Sequence, residues 1–411
     1  MNDTVLISGA SIAGPSLAYW LNRCGFRPTV VEKAGTVRPG GYPIDLRGVA
    51  VEVIDRMGLL PSVRAADIAT RRLTCVDSRG RRTARVELAN LRGASHDVEL
   101  PRGRLASLLY DATRDAVEYL FNDSIGSLEQ TDDGVRVTFR SGAQRTFGLV
   151  VGADGLNSNV RGLTFGAEAQ FHRYLGYYFV GFSVDNDFGL ESEIVMYNRP
   201  GRMAALYAVR NQRRPNALLV FAVKERIDRR LSVDEQFELV ERAFAGDGWE
   251  VPRLLAAMRT ADDLFFDSVS QIRMSSWTKG RVTLVGDAGY APSFLSGQGS
   301  SLAVVGAYQL AAALAAAGGD HRMAFPAYER SMRHFVEQNQ QLALKASGMM
   351  IPKTRVGVWL RNRLLGIVPR LLPLLRRLNL PPDAGIQRAA NSLTLAALPS
   401  PVSASRVPAE G

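Results

Sequence analysis

A glycine turn near the N-terminus constrains the fold more than any other feature of this chain. It runs from Gly9 to Gly14, after the short apolar segment 4–8 and before a helix over 16–23. The following strand ends at Glu32, 18 positions beyond Gly14. This order of strand, turn, helix and strand predicts half of a parallel α/β unit, whose helix-start amides face the phosphates of a dinucleotide.

Two residues, Glu32 and Ser11, bear on which nucleotide the turn accepts. A carboxylate at the end of the second strand accepts hydrogen bonds from ribose hydroxyls and repels a 2′-phosphate, which favours FAD or NAD over NADP. Ser11 stands where the usual glycine pattern has its middle glycine. An ordinary glycine turn of an α/β sheet is the alternative, and this turn alone does not exclude it.

Two further turns follow apolar strands later in the chain. Asp154 comes after the strand 147–151, and Asp287 comes after the strand 282–285. We therefore expect both carboxylates at the carboxyl ends of strands, where α/β sheets bind ligands. A Gly-Gln-Gly segment then opens a helix over 300–316, and the first amides of such a helix stabilise negative charge on a cofactor.

In this order, the three motifs resemble those of the class A flavoprotein monooxygenases, the family of p-hydroxybenzoate hydroxylase and the tetracycline-inactivating hydroxylases. The resemblance covers about residues 1–345. It implies that the first turn binds the ADP part of FAD and that Asp287 contacts the ribityl chain. It also implies that Asp154 and Gly155 serve both FAD and a transiently bound NADPH or NADH.

Two arginines outside the three motifs are further candidates by the same resemblance. Arg102 matches the arginine that opens a helix and contacts FAD, with Arg104 as the alternative, and Arg47 lies in a loop near the mobile flavin. A surface or structural role is the other interpretation of both. The expected cofactor contacts are Gly9, Ser11, Ile12, Ala13, Gly14, Glu32, Lys33, Arg47, Arg102, Asp154, Gly286, Asp287, Gly297, Gly299, Ser300 and Ser301.

The resemblance also implies a reaction. NADPH or NADH reduces FAD, which takes up O2 as a C4a-hydroperoxide and hydroxylates an aromatic or polycyclic natural-product-like substrate, while the protein excludes water. Two residues depart from the family pattern: Tyr290 stands where a histidine is common, and Phe294 where a proline is usual. They keep open a flavoprotein without oxygen insertion, either a dehydrogenase or a cyclase with structural FAD. A non-enzymatic FAD-binding or membrane-docking protein is a third alternative.

We expect an α/β fold in two parts. A Rossmann-like FAD-binding domain with a parallel sheet and helices spans 1–170 and 276–345, and an inserted, mostly antiparallel β-sheet at 171–275 forms the substrate domain. A helical segment follows at 346–398, and a disordered, Ser/Pro-rich tail at 399–411.

Apolar residues of the inserted sheet are candidates for the wall of a substrate pocket. They are Tyr177, Tyr178, Phe179, Phe182, Met196, Met203, Tyr207 and Phe221. For any one of them a place in the core is the commoner outcome. The expected pocket set is Tyr178, Phe182, Met196, Tyr207, Phe221 and, from the third motif, Phe294. Such a pocket suits a polycyclic or lipophilic small molecule.

The charge of the chain bears on its partners. Its formal net charge is +10, but the arginines are scattered and neither zinc-finger spacing nor an RNA-binding signature is present, so we expect anionic cofactors rather than nucleic acid. Cys24 and Cys75 are ordinary thiols, and no histidine has metal or triad spacing. Without a signal peptide or an apolar run of ~18 residues, we expect a cytoplasmic protein, a monomer or a homodimer.

The segment 352–378 mixes apolar residues with six arginines. One interpretation is an amphipathic helix on a membrane surface. The other, which we favour, is a helix packed over the FAD domain with its arginines outward, so membrane association is not expected. Pro369 and Pro373 are predicted to interrupt a single long helix.

Overall fold

The computed structural model describes most of the chain. It covers residues 2–37, 41–68, 70–88, 97–208, 214–227, 229, 231–377 and 383–398. The tail predicted at 399–411 lies outside the described residues.

A six-stranded sheet forms the centre of the nucleotide-binding part, with parallel pairing throughout except at one edge. Its strands are β1 (Thr4–Ser8), β2 (Arg27–Glu32), β7 (Glu118–Phe121), β11 (Leu149–Gly152), β17 (Thr278–Lys279) and β18 (Val282–Leu284). Their order is β17-β18-β11-β1-β2-β7. The inner strands are almost continuously apolar because helices cover both faces of a parallel sheet. This confirms the predicted Rossmann-like part.

A seven-stranded sheet forms the second part. Its strands are β4 (Arg72–Val76), β5 (Arg82–Glu87), β12 (His172–Ser183), β13 (Glu193–Arg199), β14 (Arg202–Ala208), β15 (Asn216–Ala222) and β16 (Phe265–Ile272). The order is β16-β12-β15-β14-β13-β4-β5, and only β4 and β13 pair in parallel. The sheet is mostly antiparallel, as predicted. It is not confined to 171–275, however, because β4 and β5 come from the N-terminal segment assigned to the FAD domain.

Two smaller sheets complete the strands of the described residues. One is formed by β8 (Ile125–Gln130), β9 (Val135–Phe139) and β10 (Gln144–Phe147), and the other by β3 (Pro43–Leu46) and β6 (Val98–Pro101). The strand β6 ends at Pro101, directly before the helix that begins at Arg102.

The helices fall into two groups and a C-terminal pair. Those of the nucleotide-binding part are α1 (Ala13–Arg23), α2 (Val49–Arg56), α3 (Leu60–Ala65), α4 (Arg102–Asp111), α5 (Asn159–Phe165), α8 (Asp287–Tyr290), α9 (Gly299–Ala316) and α10 (His321–Met350). One face of the large sheet packs on α6 (Val233–Phe244) and α7 (Val251–Met258). The C-terminal pair is α11 (Arg355–Arg377) and α12 (Ala384–Ala390).

The helix α9 is buried on nearly all sides between α1, α2 and α10. It is long and apolar enough to cross a membrane by length and composition, contrary to the expectation that no apolar run reaches that length. A core helix of a globular protein passes the same test, and α9 is mostly covered by other parts of this chain.

The C-terminal helix α11 differs from its prediction in two ways. It runs without interruption through Pro369 and Pro373. It packs on β5 and β13 of the large sheet rather than over the FAD domain, and Arg361 points inward. The preference for a helix with all its arginines outward was therefore wrong.

Candidate functional site

The three turns found in the sequence meet at the carboxyl edge of the parallel sheet. The Ala153 amide donates to the Ser8 carbonyl at 2.8 Å, and the Val285 amide donates to the Gly152 carbonyl at 2.9 Å. The strands β1, β11 and β18 are neighbours, so the turns that follow them lie side by side. This edge is where an open α/β sheet binds its ligand.

Backbone crowding explains the two glycines of the first turn. Gly9 has φ +111°, and a Cβ atom there would lie 2.6 Å from the Ala153 oxygen. A Cβ atom on Gly14 would lie 1.9 Å from the Gly9 oxygen. Neither position accepts a side chain, because each contact would be far inside van der Waals distance. Ile12 and Ala13 then lead into α1, whose N-terminus carries no side-chain cap.

Glu32 closes the first turn from the neighbouring strand. Its Oε2 accepts a hydrogen bond from the Ala10 amide at 2.9 Å, and its Oε1 accepts one from the Ala34 amide at 2.9 Å. The carboxylate therefore lies beside the glycine turn, where ribose hydroxyls are expected. The adjacent Lys33 is exposed.

Arg102, rather than Arg104, reaches the nucleotide turn. It opens α4, and its guanidinium donates to the Ser11 hydroxyl at 2.8 Å. Arg104 is exposed on the same helix. The hydroxyl that replaces the middle glycine of the usual pattern is thus the acceptor for the arginine.

Arg47 is held by carboxylates in this conformation. Its guanidinium lies 2.8 Å from Asp45 and 3.2 Å from Asp97, and its backbone amide donates to the Ser301 hydroxyl at 3.1 Å. Ser301, one of the predicted cofactor contacts, therefore uses its side chain to connect the loop after β3 to the start of α9. A contact between the Arg47 guanidinium and a flavin stays a prediction.

Asp154 organises the second turn. Its carboxylate accepts hydrogen bonds from the Ser158 hydroxyl and, at 3.1 Å, from the Val160 amide, yet burial raises its pKa. The fully buried Arg161 then donates to the Leu156 carbonyl at 2.6 Å and to the Ala288 carbonyl at 2.8 Å. Because Ala288 follows Asp287, Arg161 connects the second turn to the third.

The third turn, after β18, brings Asp287 next to the start of α9. Burial raises the pKa of Asp287, and the positive charge of Arg102 acts in the opposite direction. Gly286 has φ +66°, and a Cβ on Gly299 would lie 3.6 Å from the Asp287 carboxylate. Gly297 takes the left-handed conformation, and Ser300 lies in the first turn of α9.

The N-terminus of α9 has free hydrogen-bonding capacity. No side chain caps it. The side chain of Gln298 is completely buried, and neither its amide nitrogen nor its amide oxygen makes a hydrogen bond within the described residues. An unpaired buried amide is costly, which indicates that a bound group supplies its partner. The uncapped helix start provides amides for a negatively charged ring or phosphate.

An aromatic cluster faces this edge from the large sheet. The ring of Phe179 lies 4.6 Å from Phe294 and 5.5 Å from Phe265, and Tyr42 lies 6.4 Å from Phe265. Asp267 shares a strand face with Phe265, since side chains two apart on a strand point the same way. Burial raises the pKa of Asp267, and its charge acts on Tyr42 and Asp287.

The predicted pocket residues divide between the two faces of the large sheet. Tyr178, Phe182 and Phe221 pack against α6 and α7 in the core on the far side, so they do not line the cleft. Met196 and Phe294 pack on the side that faces the nucleotide-binding part. Tyr207 is half-buried, and it lies on the same face of β14 as Met203, which also packs on the side toward the nucleotide-binding part.

Tyr290, the second departure from the family pattern, lies in the core instead of the cleft. It is fully buried, its hydroxyl is 2.9 Å from that of Tyr328, and its ring lies 4.6 Å from Trp277. Of the two departures, only Phe294 belongs to the aromatic cluster.

Two cleft residues were not singled out as site residues from the sequence. Asp267 lies in a strand that carries no motif, and Tyr42 lies in the loop for which only Arg47 was predicted as a contact. The alternation of β12 showed two faces, with Tyr177 and Phe179 on one and Tyr178 on the other, but did not show which face covers the cofactor site.

These features fit FAD. One continuous edge of the parallel sheet carries all of them: the crowded glycines, the carboxylate of Glu32, the Arg102 guanidinium, the unpaired Gln298 amide and the uncapped start of α9. The fold and the site together define a flavin-binding oxidoreductase.

Comparison with known proteins gives the family. The sequence profile of the FAD binding domain family matches residues 2–343. The chain therefore belongs to the FAD binding domain family and is an FAD-dependent monooxygenase.

Two relatives and one solved structure illustrate the similarity. An uncharacterised protein of Mycobacterium tuberculosis is 46% identical over 343 residues, which cover 82% of this chain and 92% of that protein. A flavin-dependent monooxygenase from an unknown prokaryotic organism is 38% identical over 346 residues, 84% of this chain and 89% of that protein. The crystal structure of tetracycline destructase Tet(55) matches with a TM-score of 0.83 at 34% identity, covering 96% of this chain and 99% of that chain.

Proposed function

We propose that this protein hydroxylates an aromatic or polycyclic, natural-product-like substrate, using NADPH or NADH and O2. The observation that carries the proposal is the cluster of Tyr42, Phe179, Phe265 and Phe294 beside one half-buried carboxylate, Asp267. An apolar wall with a single acceptor suits a flat ring system that bears a hydroxyl group. The similarity to a tetracycline destructase supports a polycyclic substrate.

The residues of this chain have three tasks in such a reaction. Reduced FAD supplies the activation of O2 and the transfer of one oxygen atom to a substrate carbon. Arg102 and the N-termini of α1 and α9 bind the anionic groups of the cofactor. The aromatic cluster keeps water away from the reacting ring.

Asp267 is proposed to hold the substrate hydroxyl. The Oδ1 atom of Asp267 accepts a hydrogen bond from the backbone amide of Ser268 at 2.7 Å. Its Oδ2 atom lies 3.4 Å from Asn157 Nδ2. An oxygen with one long hydrogen bond can accept a proton from a ring hydroxyl, which makes the ring richer in electrons. Burial raises the pKa of Asp267, so its carboxylate is a stronger base toward such a hydroxyl than a fully exposed carboxylate.

The test is turnover with isotopically labelled O2 across a panel of phenols and polycyclic phenols. We expect substrate-dependent NADPH or NADH oxidation and one labelled oxygen atom in the product. Asp267→Asn should lower kcat while flavin content stays unchanged, and Asp262→Asn, at an exposed aspartate, serves as the control. Reoxidation that yields only hydrogen peroxide across the panel contradicts hydroxylation and favours a dehydrogenase or a cyclase with structural FAD.

A further inference from the structure

The inward side of α11 carries two polar residues, Arg361 and Asn362, beside the half-buried Val358 and Leu365. Arg361 and Asn362 are only 7% and 8% exposed. The Arg361 guanidinium donates to Asn198 Oδ1 at 2.8 Å and to the Met350 carbonyl at 3.3 Å, and the Asn362 amide donates to the Thr83 hydroxyl at 2.9 Å. These hydrogen bonds connect the helix to the outer strands of the large sheet.

The opposite face of α11 is apolar and exposed. Among the described side chains, six of the eleven exposed large apolar ones belong to this helix: Val356, Trp359, Leu360, Leu364, Ile367 and Leu371. At 3.6 residues per turn they form one stripe, about 140° wide, opposite Arg361 and Asn362. A surface helix normally turns its apolar stripe inward, so this reversed arrangement indicates that something outside the fold covers the stripe.

The charge around the stripe is of one sign. No aspartate or glutamate occurs between Glu337 and Asp383, whereas eight cationic residues do: Lys345, Lys353, Arg355, Arg361, Arg363, Arg370, Arg376 and Arg377. The exposed Arg363 lies within the stripe, between Val356 and Trp359 around the helix, and its guanidinium is 5.6 Å from the centre of the Trp359 ring. Arg355 lies at the edge of the stripe, next to Trp359. Arg355 and Arg363 are both exposed.

We propose that α11 lies on the surface of a membrane that contains anionic lipids. An exposed helix face with tryptophan and leucines, among and beside arginines, is the composition of helices that insert at the level of the lipid headgroups. A second copy of this chain fits less well, because a two-fold contact would bring two acid-free cationic segments together. The proposal concerns docking alone and does not depend on the reaction of the flavin site.

The experiment uses the full-length, flavin-loaded protein and vesicles of known composition. We expect co-sedimentation with vesicles of phosphatidylcholine mixed with phosphatidylglycerol, weak co-sedimentation with phosphatidylcholine alone, and a loss of binding as salt is raised. Trp359 is the internal reporter, because it is 59% exposed, whereas Trp20 and Trp277 are buried and Trp249 is half-buried; a Trp249→Phe background removes the emission of the half-buried tryptophan. The Trp359 emission should shift to shorter wavelength only when anionic vesicles are added.

Two matched variants locate the contact. Leu360→Gln/Leu364→Gln should weaken vesicle binding roughly tenfold or more, since two exposed leucines lose their place among lipid chains. Met323→Gln/Leu163→Gln replaces two exposed apolar residues outside α11 and should bind like the parent. Both variants should melt at the parent temperature, because all four replaced side chains are exposed.

Three results would each overturn the proposal. The first is equal vesicle binding by the parent and the α11 variant, or none by either. The second is a dimer in solution that the α11 variant abolishes, which would assign the stripe to a second copy. The third is Trp359 emission that is already at short wavelength without lipid, which would mean that the chain itself covers the stripe.

Discussion

The guanidinium of Arg102 and the hydroxyl of Ser11 meet at 2.8 Å, although 91 positions separate them in the chain. This contact places a positive charge directly at the turn that precedes α1. The loop at Gly41 packs behind it, since a Cβ on Gly41 would lie 3.4 Å from Arg102 Cβ. Arg102 is thus held where the diphosphate of FAD is expected, and its charge acts on Asp287 as well.

Replacing Arg102 by methionine should weaken FAD binding by about 10- to 100-fold. The estimate corresponds to the loss of a hydrogen bond to a charged group, about 1.5–3 kcal/mol. Flavin content after purification and titration of the apoprotein with FAD measure it. Arg104→Met, an exposed arginine two positions along the same helix, is the control and should keep full occupancy.

Asp287→Asn should purify largely without flavin, while the apoprotein loses no stability. Because burial raises the pKa of Asp287, its charged form is unfavourable in the apoprotein, and an amide of the same shape removes that penalty. Absorbance of the flavin and thermal melting of apoprotein report the two effects separately. Full yellow occupancy in this variant, with Asp262→Asn as control, would refute the role assigned to Asp287.

The stability of the apoprotein should depend on pH through Asp154, Asp267 and Asp287. Burial raises the pKa of each above the ordinary value of 3.8. The folded state therefore holds protons that the unfolded chain has released, so the contribution of these groups to stability falls as pH rises from about 4. As pH is raised from about 4, the melting temperature of Asp267→Asn apoprotein should fall less than that of the parent apoprotein. Identical slopes would mean that Asp267 ionises as it does in the unfolded chain.

The sequence was sufficient for those parts of the fold that local rules determine. The turns around Gly9, Asp154 and Asp287 were predictable because each glycine or carboxylate follows an apolar strand, and parallel strands end at a common edge. Arg102 could be separated from Arg104 only with the structure, since both precede the same apolar positions of α4.

Long-range packing set the limits of prediction. The aromatic residues of β12 alternate between the two faces of the sheet, as the sequence predicted. Which of these faces meets the FAD site depends on where α6 and α7 pack. These helices follow β12 by about fifty positions or more in the chain. That is why Tyr178 and Phe182 were assigned to the pocket although they lie in the core. For the same reason α11 was assigned the opposite orientation: Arg361 is buried because Asn198, 163 positions earlier, provides its partner.

Tyr290 and Gly306 offer a test of how the departure from the family's histidine is accommodated. A Cβ on Gly306 would lie 2.0 Å from the Tyr290 hydroxyl, so α9 carries a glycine where the tyrosine needs space. Gly306→Ala should destabilise the protein by about 1–3 kcal/mol through overpacking, despite the better helix propensity of alanine. Chemical denaturation of the parent and the variant measures the difference.

The companion variant Tyr290→Phe separates crowding from other causes. It removes the hydroxyl, so the nearest ring atom would lie 3.2 Å from the Cβ of an alanine at position 306. By itself it should lower the free energy of unfolding by about 1 kcal/mol, because the hydrogen bond to Tyr328 is lost. In the double variant the alanine should be far better tolerated, which would give a coupling free energy of about 1 kcal/mol or more. Gly348→Ala, at an exposed position of α10 with open space around it, should stabilise by up to about 1 kcal/mol. Additive effects in the cycle would mean that Gly306 is required for a reason other than the tyrosine hydroxyl.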